Sequence, residues 1–329
     1  MDYPTGLRTP ICDLLGIEYP VFLAGMGQVA YAGVCAAVSE AGGFGTLGMV
    51  AAGPEQIRAE MRAVRARTKK PFGVDMLAAL PEHVLAAIDV IIDEGAAAFI
   101  TGLGVAAPVI ERCHRAGVKV MAVCGKVSHA VRAEEAGCDA VVAQGTEAGG
   151  HTGLIAGMAL IPQTVDAVSI PVLAAGAIVD GRGLAAALAF GAQGVWMGTR
   201  FIASREANAA AAYKRRLLDA DSTDTVVTRC YSGKPMRVVR NPYVEERERR
   251  GDLLPFPHQM LASIQAGVLD LADDATLDPA RSCMPAGQGV GAIAEILPAG
   301  EIVRRTVRDA EAVIAELARL GGRSATAAS

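Results

Sequence analysis

Residues 140–176, AVVAQGTEAGGHTGLIAGMALIPQTVDAVSIPVLAAG, show the pattern on which the fold prediction rests. The stretch begins with one short apolar run, AVVAQ, and ends with another, PVLAAG, and a glycine-rich loop and a segment of helical length lie between them. Neither run alternates between apolar and polar residues. Continuous apolarity is typical of parallel strands that are covered on both faces. The stretch therefore predicts a strand, a loop, a helix and a second strand parallel to the first.

Similar apolar runs recur along the first 200 residues. They begin at Pro20, Phe44, Phe72, Ala97, Lys119, Ala140, Pro171 and Gly194, and segments with helical spacing and charged faces separate them. Their starts are about 21 to 31 residues apart, the length of a strand, a helix and two short loops. Eight such units predict an α/β protein with a TIM (β/α)8 barrel. A doubly wound parallel sheet is the alternative, although it usually has fewer strands.

The repeating pattern stops after Arg205, so residues 1–205 are predicted to form the barrel. Residues 206–284 contain charged, helix-like segments such as AAYKRRLLDA and NPYVEERERRG, and they are interpreted as a helical substrate-binding or lid region over one barrel mouth. Ordinary outer helices of the barrel are the alternative. Residues 285–320 are expected to return to the barrel and to end in an amphipathic helix. Residues 321–329 are expected to be a disordered tail.

The composition excludes several kinds of protein. The chain has 329 residues, of which 52% are hydrophobic and 20% charged, and this excludes a disordered or collagen-like protein. Its net charge of -4 provides no basic field for a polyanion, and aromatic residues that could stack on bases make up only 4%. We therefore expect no nucleic-acid partner.

The cysteines and the N-terminal region predict a cytoplasmic protein. Seven cysteines are scattered from Cys12 to Cys283 without a C-x-x-C pair, which favours reduced, mostly buried thiols and no metal site. The N-terminal residues lack the basic start and apolar core of a secretory signal. Residues 21–39 carry no charge over almost the length of a membrane span, but their glycines divide them into a short strand and a short helix, so no membrane span is expected.

Small residues end the last two predicted barrel strands and predict a phosphate site. Strand seven ends in Ala175, Gly176 and Ala177, and strand eight ends in Gly198 and Thr199. In a barrel the loops after these strands commonly hold a phosphate, because small residues let backbone N–H groups approach its oxygens. A flavin mononucleotide, a sugar phosphate and a nucleotide all remain candidates. The G-x-G-x-x-G spacing of residues 43–48 is not interpreted as a dinucleotide site, because a helix precedes it and its glycines lie within a strand.

The loop after the sixth predicted strand contains the candidate catalytic residue. His151 lies in a glycine-rich loop at the carboxyl end of a barrel strand, where enzymes of this fold place their chemistry. Imidazole can exchange a proton near neutral pH, so His151 is predicted to be catalytic rather than structural. Glu147 in the same loop is a weaker candidate that is expected to cap or orient the loop.

Four ordered motifs resemble one enzyme family over almost the whole chain. They are AGMGQVAYAGVCAAVSEAGGFGTLG from residue 24, EAGGHTG from residue 147, LAAGAIVDGRGLAAALAFGAQGVWMGTRF from residue 173 and AGQGVGAI from residue 286. These motifs resemble the nitronate monooxygenase (2-nitropropane dioxygenase) family, which includes flavin enoyl-ACP reductases of the FabK type and related quinone and acyl-CoA reductases. The motifs are specific for the family and only weakly specific for the substrate.

The resemblance implies an FMN-binding barrel in which the flavin lies across the mouth. It implies that His151 is the active-site histidine and that Asp75 stands where relatives often have asparagine. The cofactor-binding positions that it implies are Ala24, Gly25, Met26, Asp75, Gln144, Gly150, Ala175, Gly176, Ala177, Gly198, Thr199 and Gln288. Strand five ends in Val123 and Cys124, where some quinone reductase-like members have lysine, and this difference weakens a quinone reductase assignment.

The resemblance leaves three functions open. The first is oxidation of alkyl nitronates or nitroalkanes with O2. The second is reduction of an enoyl thioester or a quinone with NAD(P)H, in which cations of the lid region would meet the phosphates of CoA or a carrier protein; these are Lys214, Arg215, Arg216, Arg237 and Arg240. The third, of another class, is a flavin-free phosphosugar isomerase or lyase on the same barrel. The partner is a small molecule in each case, and a homodimer is the candidate assembly.

Overall fold

Eleven strands are found in the computed structural model, which describes residues 6–50, 52–77, 81–102, 104 and 106–322. They are β1 (Val21–Leu23), β2 (Gly45–Gly48), β3 (Phe72–Leu77), β4 (Ala98–Gly102), β5 (Lys119–Cys124), β6 (Ala140–Gln144), β7 (Gly150–His151), β8 (Val172–Ala175), β9 (Gly194–Met197), β10 (Thr225–Thr228) and β11 (Met236–Val239). Eight of them form one parallel sheet in the order β1-β9-β8-β6-β5-β4-β3-β2. All eight predicted barrel strands are therefore confirmed.

The sheet closes on itself between its first and last strands. A parallel bridge joins Phe22 of β1 to Phe44, the residue before β2. Two backbone hydrogen bonds of 2.9 Å support the bridge, from the Leu23 N–H to the Phe44 carbonyl and from the Phe44 N–H to the Val21 carbonyl. Closure leaves no free sheet edge, so the alternative of an open, doubly wound sheet is wrong.

Buried side chains lie on both faces of the barrel strands. On β6, Val141 belongs to the apolar layer between sheet and helices, whereas its neighbour Val142 packs in the barrel interior. Side chains alternate between the two faces of a strand. Here both faces are buried, which explains the unbroken apolar runs. Ile11 and Leu15 of the first helix pack into the interior cluster with Phe22 and Phe44.

Thirteen α-helices surround or extend the barrel in the described residues. They are α1 (Pro10–Leu15), α2 (Ala32–Glu40), α3 (Pro54–Arg65), α4 (Pro81–Asp93), α5 (Ala107–Arg115), α6 (Val127–Glu135), α7 (Gly157–Ala167), α8 (Gly181–Ala189), α9 (Thr199–Ile202), α10 (Ala211–Asp219), α11 (Pro242–Arg250), α12 (His258–Gln265) and α13 (Ala299–Gly322). Several of the outer helices are amphipathic. In α3, for example, Ile57, Met61 and Val64 are buried at helical spacing, and charged residues occupy the other face.

Residues 206–284, which we call the cover, are inserted into the last strand–helix unit. The barrel strand β9 precedes them, and α13 returns afterwards to pack on α2 and α8. The two helix-like segments named in the sequence analysis are present as α10 and α11, and α12 follows them. Part of the cover has an apolar cluster of its own, which includes Cys230, Tyr231 and Val244. The predicted tail lies outside the described residues from residue 323 onward, and residues 321 and 322 still belong to α13.

The cover also contains strands that the sequence pattern did not predict. Strands β10 and β11 pair antiparallel, and β11 continues into an antiparallel pair with β7 of the barrel loop. The expectation of a wholly helical region therefore needs correction. These strands have only four residues each, and the partner of β11 in the barrel loop, β7, lies far earlier in the chain.

The cysteines and the glycine-rich stretch before β2 lie as expected from the sequence. All seven cysteines are buried free thiols. The residues of the G-x-G-x-x-G spacing precede and form β2, with α2 before them, as the strand interpretation requires. Among the described residues, none of the helices has the length and apolarity needed to cross a membrane.

Candidate functional site

The loop between β6 and α7 places His151 at the carboxyl end of the barrel. Gly150 has a φ of 74°, and with His151 it forms β7, which pairs with Arg237 and Met236 of β11. The side-chain amide of Gln144, the last residue of β6, donates a hydrogen bond of 2.7 Å to the His151 carbonyl. The main chain of His151 is thus held from the barrel on one side and from the cover on the other.

The imidazole of His151 is partly buried against the cover. Its Nε2 lies 2.9 Å from the Ser232 hydroxyl. Loss of hydration, with a smaller contribution from the positive charge of Lys234, lowers the pKa of His151 to about 4. The ring is therefore uncharged at neutral pH and has a lone pair that can accept a proton.

Glu147 orients the loop, as expected. Both of its carboxylate oxygens accept hydrogen bonds from the backbone N–H of Gly157, at 2.9 and 3.0 Å, at the start of α7. Its carbonyl accepts a hydrogen bond of 2.9 Å from the N–H of Gln288. Glu147 therefore links the loop after β6 to a helix start and to the C-terminal segment, and nothing in its contacts indicates proton transfer.

The tips of β8 and β9 meet the C-terminal segment. Gly176 has a φ of 114°, and Ala177 has a φ of 53°. A Cβ at Gly289 would lie 2.8 Å from the Ala177 carbonyl, so the segment that begins with Gln288 passes directly beside this tip. The Thr199 hydroxyl accepts a hydrogen bond of 3.0 Å from the N–H of Gly287.

The tips of β1 and β9 are neighbours as well. The Ala24 N–H donates to the Met197 carbonyl at 2.9 Å. A Cβ at Gly198 would lie 3.4 Å from the Met26 sulfur and 3.6 Å from the Ala24 Cβ, which is ordinary contact. The loop after β1 and the end of β9 therefore form one continuous rim.

Asp75 on β3 is a buried carboxyl that faces the loop after β1. It is 9% exposed, and among the described residues no hydrogen bond or ion pair involves its carboxyl group. Burial raises the pKa of Asp75 well above its ordinary value. A Cβ at Gly25 would stand 2.2 Å from the Asp75 Cβ and 2.3 Å from its Oδ2, so only glycine permits this approach. The oxygens of the Asp75 carboxyl group are therefore available to bind a ligand at the barrel mouth.

The predicted site residues thus fall into groups in direct contact at the carboxyl ends of the barrel strands. Contacts connect Gly25 with Asp75, the loop of Ala24 and Met26 with Gly198, and Gln144 with His151. Sequence reasoning missed Ser232 and Lys234, which lie in the turn between β10 and β11. The segment YSGKP signals only a turn, and nothing local indicates that the turn reaches the histidine.

Comparison with known proteins identifies the family of the chain. A sequence profile of the family described as "Nitronate monooxygenase" matches residues 8–87 and 83–309. The chain belongs to the nitronate monooxygenase family. Proteins of this family are flavin enzymes, and the chain is an enzyme of the oxidoreductase class. The family membership confirms the resemblance and leaves the flavin-free isomerase alternative without support.

Curated relatives in the nitronate monooxygenase family have different names. The chain is 33% identical to a "Probable nitronate monooxygenase" of Staphylococcus aureus (strain JH9), over 81% of this chain and 88% of the relative. It is 42% identical to the "(3aS,4S,5R,7aS)-5-hydroxy-7a-methyl-1-oxo-octahydro-1H-indene-4-carboxyl-CoA dehydrogenase" of Mycobacterium tuberculosis (strain ATCC 25618 / H37Rv), over 74% of this chain and 69% of the relative. Family membership therefore does not specify the substrate.

Solved structures of similar proteins support the fold of this nitronate monooxygenase family member. FabK from Thermotoga maritima superposes with a TM-score of 0.88 at 35% identity, covering 96% of this chain and 100% of that chain. The nitroalkane oxidase from Streptomyces ansochromogenes superposes with a TM-score of 0.83 at 30% identity, covering 93% of this chain and 99% of that chain. Coverage of this extent includes the cover as well as the barrel.

Proposed function

We propose that the chain is an FMN-dependent oxidoreductase of the nitronate monooxygenase type, which oxidises nitroalkanes and alkyl nitronates with O2. The observation that supports this proposal is the state of His151: a partly buried, uncharged imidazole after the carboxyl end of β6, held by Gln144 and Ser232. We propose that His151 removes the α proton of a neutral nitroalkane. General base catalysis of this kind contributes roughly 10²- to 10⁴-fold to a rate.

The direction of proton transfer favours oxidation over reduction. Because the pKa of His151 is lowered to about 4, almost every molecule has a neutral ring at pH 7 that accepts a proton. Protonating a reduced enoyl thioester would call for an imidazolium, which is rare at that pH. The same argument extends to any substrate with an acidic C–H bond beside an electron-withdrawing group.

The residues present fit a flavin phosphate at the tips of β8 and β9. No hydrogen bond of the described residues uses the backbone N–H of Gly176 or Ala177, so both are available to an anion. We propose that Ala175, Gly176, Ala177, Gly198 and Thr199 hold the phosphate. We propose that the ring side is held by Ala24, Gly25, Met26, Asp75, Gln144, Gly150 and Gln288. When bound, FMN takes up two electrons from the substrate and delivers them to O2.

A CoA thioester is the second candidate substrate, and the relative from Mycobacterium tuberculosis that is 42% identical favours it. A carbon beside a thioester carbonyl is also acidic, so the same base could act in its dehydrogenation, with NAD(P)+ as the final electron acceptor. NAD(P)H would be the electron donor for the reverse reaction, the reduction of an enoyl thioester. The cations that were predicted to bind the phosphates of CoA support this candidate less well. Lys214 binds the carbonyls of Ser204 and Ala207, and Arg237 binds the Thr146 carbonyl, so both cations have internal partners.

Anaerobic mixing of the FMN-loaded protein with single substrates tests the proposal. We expect nitroethane to bleach the flavin absorption band without NAD(P)H, and O2 to restore it. His151→Gln should slow bleaching by neutral nitroethane at least 100-fold, slow bleaching by the preformed nitronate much less, and leave the FMN content unchanged. Bleaching by an acyl-CoA but not by nitroethane would select the second candidate. Equal rates in His151→Gln and in the unmodified protein would contradict the role of His151.

The remaining expectations about cell location and assembly are proposals. The seven buried free thiols support a cytoplasmic location, where thiols stay reduced. The partner is a small molecule, without nucleic acid or membrane, and a homodimer is the candidate assembly. Residues 206–284 would act as the substrate-binding cover of this enzyme.

A further inference from the structure

A side chain of the cover completes the surroundings of His151. The Ser232 hydroxyl lies 2.9 Å from Nε2 of His151, although the two residues are 81 positions apart in the chain. Ser232 is 4% exposed, so this contact is shielded from water. The barrel therefore contributes the imidazole, and the inserted cover contributes its hydrogen-bond partner.

Three polar groups surround the Ser232 oxygen, and counting their protons assigns the tautomer of the histidine. The Lys234 N–H donates to this oxygen at 3.3 Å, and the Ser232 hydroxyl donates to the Lys234 carbonyl at 3.2 Å. A hydroxyl has one proton to donate and two lone pairs that accept. When the proton points to the Lys234 carbonyl, the two lone pairs remain for the Lys234 N–H and for Nε2. The Ser232 hydroxyl and its three neighbours all have a hydrogen-bond partner only if Nε2 of His151 carries a hydrogen.

We propose that Ser232 is a positioning residue that accepts a hydrogen bond from Nε2–H of His151 and thereby presents the lone pair of Nδ1 as the base. The inference rests on the proposed function, because it names the atom of His151 that takes the proton. The hydrogen bond survives the transfer, since an imidazolium donates from Nε2 as a neutral ring in this tautomer does. The serine and its turn therefore need not rearrange while the base is charged.

The contribution of Ser232 is separate from that of the loop backbone. Gln144 and the pairing of His151 with Met236 already hold the main chain of the histidine. Ser232 then controls the rotation of the ring and the choice between its tautomers. Removing the hydroxyl should therefore affect the chemical step more than it affects folding or flavin binding.

The turn that carries Ser232 is itself held by the cover. The Lys234 ammonium lies 4.4 Å from the centre of the Phe256 ring. Gly233, with a φ of 82°, packs so closely that a Cβ there would lie 2.4 Å from the Phe256 nitrogen. Orientation of the base thus depends on packing within the cover, which is remote from the barrel in sequence.

The test compares Ser232→Ala with Ser232→Thr, which keeps the hydroxyl, in the FMN-loaded protein. Ser263→Ala is the matched control, because Ser263 is also buried in the cover and the one hydrogen bond of its hydroxyl among the described residues goes to the Cys230 carbonyl, at 3.5 Å. The chain has five histidines, so ¹⁵N NMR of imidazole-labelled protein resolves few signals, and His151→Gln identifies the one of His151. The Nε2–H and Nδ1–H tautomers have different ¹⁵N shifts. Ser232→Cys, which keeps the size of the side chain, replaces the alanine variant if that variant does not fold.

We expect the Nε2–H signature in the unmodified protein and in Ser232→Thr, and a mixture of tautomers in Ser232→Ala. With nitroethane as substrate, kcat of Ser232→Ala should fall about 10- to 100-fold with little change in KM. An unaltered ¹⁵N signature in Ser232→Ala, or an Nδ1–H signature in the unmodified protein, would overturn the inference. A changed signature together with full activity of His151→Gln would instead overturn the proposed function, so the two failures are distinguishable.

Discussion

The imidazole of His151 loses most of its hydration in the fold, and this loss determines the pH range in which it can act as a base. Its pKa is lowered from 6.5 to about 4, first by burial and then by Lys234. Between these two values the unfolded chain binds a proton that the folded chain does not. The contribution of His151 to stability therefore falls as the pH is lowered from about 6.5 to about 4.

The first prediction concerns the pH dependence of proton removal. We expect kcat/KM for neutral nitroethane to be constant from pH 7.5 down to about pH 5 and to decline with a midpoint near the lowered pKa of about 4. Stopped-flow measurement of anaerobic flavin reduction gives this profile directly. A decline centred near the ordinary histidine value of 6.5 would show that the ring is hydrated in the working enzyme.

The second prediction concerns the effect of the Asp75 carboxyl group on stability. Burial raises the pKa of its carboxyl group, so the folded chain holds a proton that the unfolded chain releases as the pH rises above about 3.8. Stability is lost as the pH rises through this window. Asp75→Asn cannot ionise, and we expect it to raise the free energy of unfolding at pH 7 by about 1 kcal/mol in the flavin-free protein, with a smaller gain near pH 4.

Asp139→Asn is the matched control, with the opposite sign. Burial raises the pKa of Asp139, but hydrogen bonds from the Val120 N–H, His114 and Lys119 outweigh burial and lower it. Its ionised form therefore stabilises the fold above about pH 3.8, and the asparagine variant should lose about 1 kcal/mol at pH 7. Urea unfolding at several pH values measures both variants. A loss of stability at pH 7 in Asp75→Asn would contradict the prediction.

At the scale of the element, helix α7 begins without a side-chain cap of its own. Its N-cap residue is Ala156, and the carboxylate of Glu147 binds the N–H of Gly157, which has no partner within the helix. A carboxylate at a helix N-terminus satisfies a free donor and interacts favourably with the helix dipole. The glycine-rich loop that carries His151 is thus closed by a contact with the helix that follows it.

The third prediction is that Glu147→Ala lowers the free energy of unfolding by about 1 kcal/mol, the usual effect of losing a helix cap. Glu135→Ala, at an exposed position at the end of α6, should change it by no more than about 0.5 kcal/mol. Urea titration followed by circular dichroism measures both. Because the Glu147 side chain also packs beside Gly176, the FMN content of purified Glu147→Ala should fall as well. Equal stability of the two variants would exclude the capping role.

At the scale of the whole molecule, the barrel mouth is assembled from segments that are far apart in the chain. The cover is inserted between β9 and α13, and the segment after it, around Gln288, returns to the tips of β6, β8 and β9. A ligand that bridges these segments stabilises the folded state by mass action, by about 2.7 kcal/mol at a concentration of 100 times Kd.

The fourth prediction separates the phosphate of FMN from its ring. FMN should raise the melting temperature more than riboflavin, which lacks the phosphate. Gly176→Ala should reduce this difference, because its φ of 114° is strained for alanine and the new Cβ would lie 3.2 Å from the Glu147 Cγ. Gly117→Ala is the control, since Gly117 has a φ of 75°, has free space around it and lies before β5 at the opposite end of the barrel. Identical shifts with FMN and riboflavin would place the phosphate elsewhere.

Local patterns were sufficient for the barrel and for the position of His151. Each strand is buried on both faces, so its apolar run is visible without knowledge of its neighbours, and the loop after β6 follows one such run directly. The same reasoning could not find β10 and β11. Each has only four residues, and β11 pairs with β7, which lies far earlier in the chain.

The partner of His151 shows most clearly what depends on tertiary contacts. The histidine can be recognised from its glycine-rich loop, whereas Ser232 is an unremarkable turn residue until folding carries it across 81 positions of sequence to 2.9 Å from the ring. Closure of the barrel through Phe22 and Phe44, and the burial that lowers the pKa of His151, arise in the same way. Periodicity reports which residues are buried along one segment, but hydration and hydrogen bonding depend on every segment that packs against it.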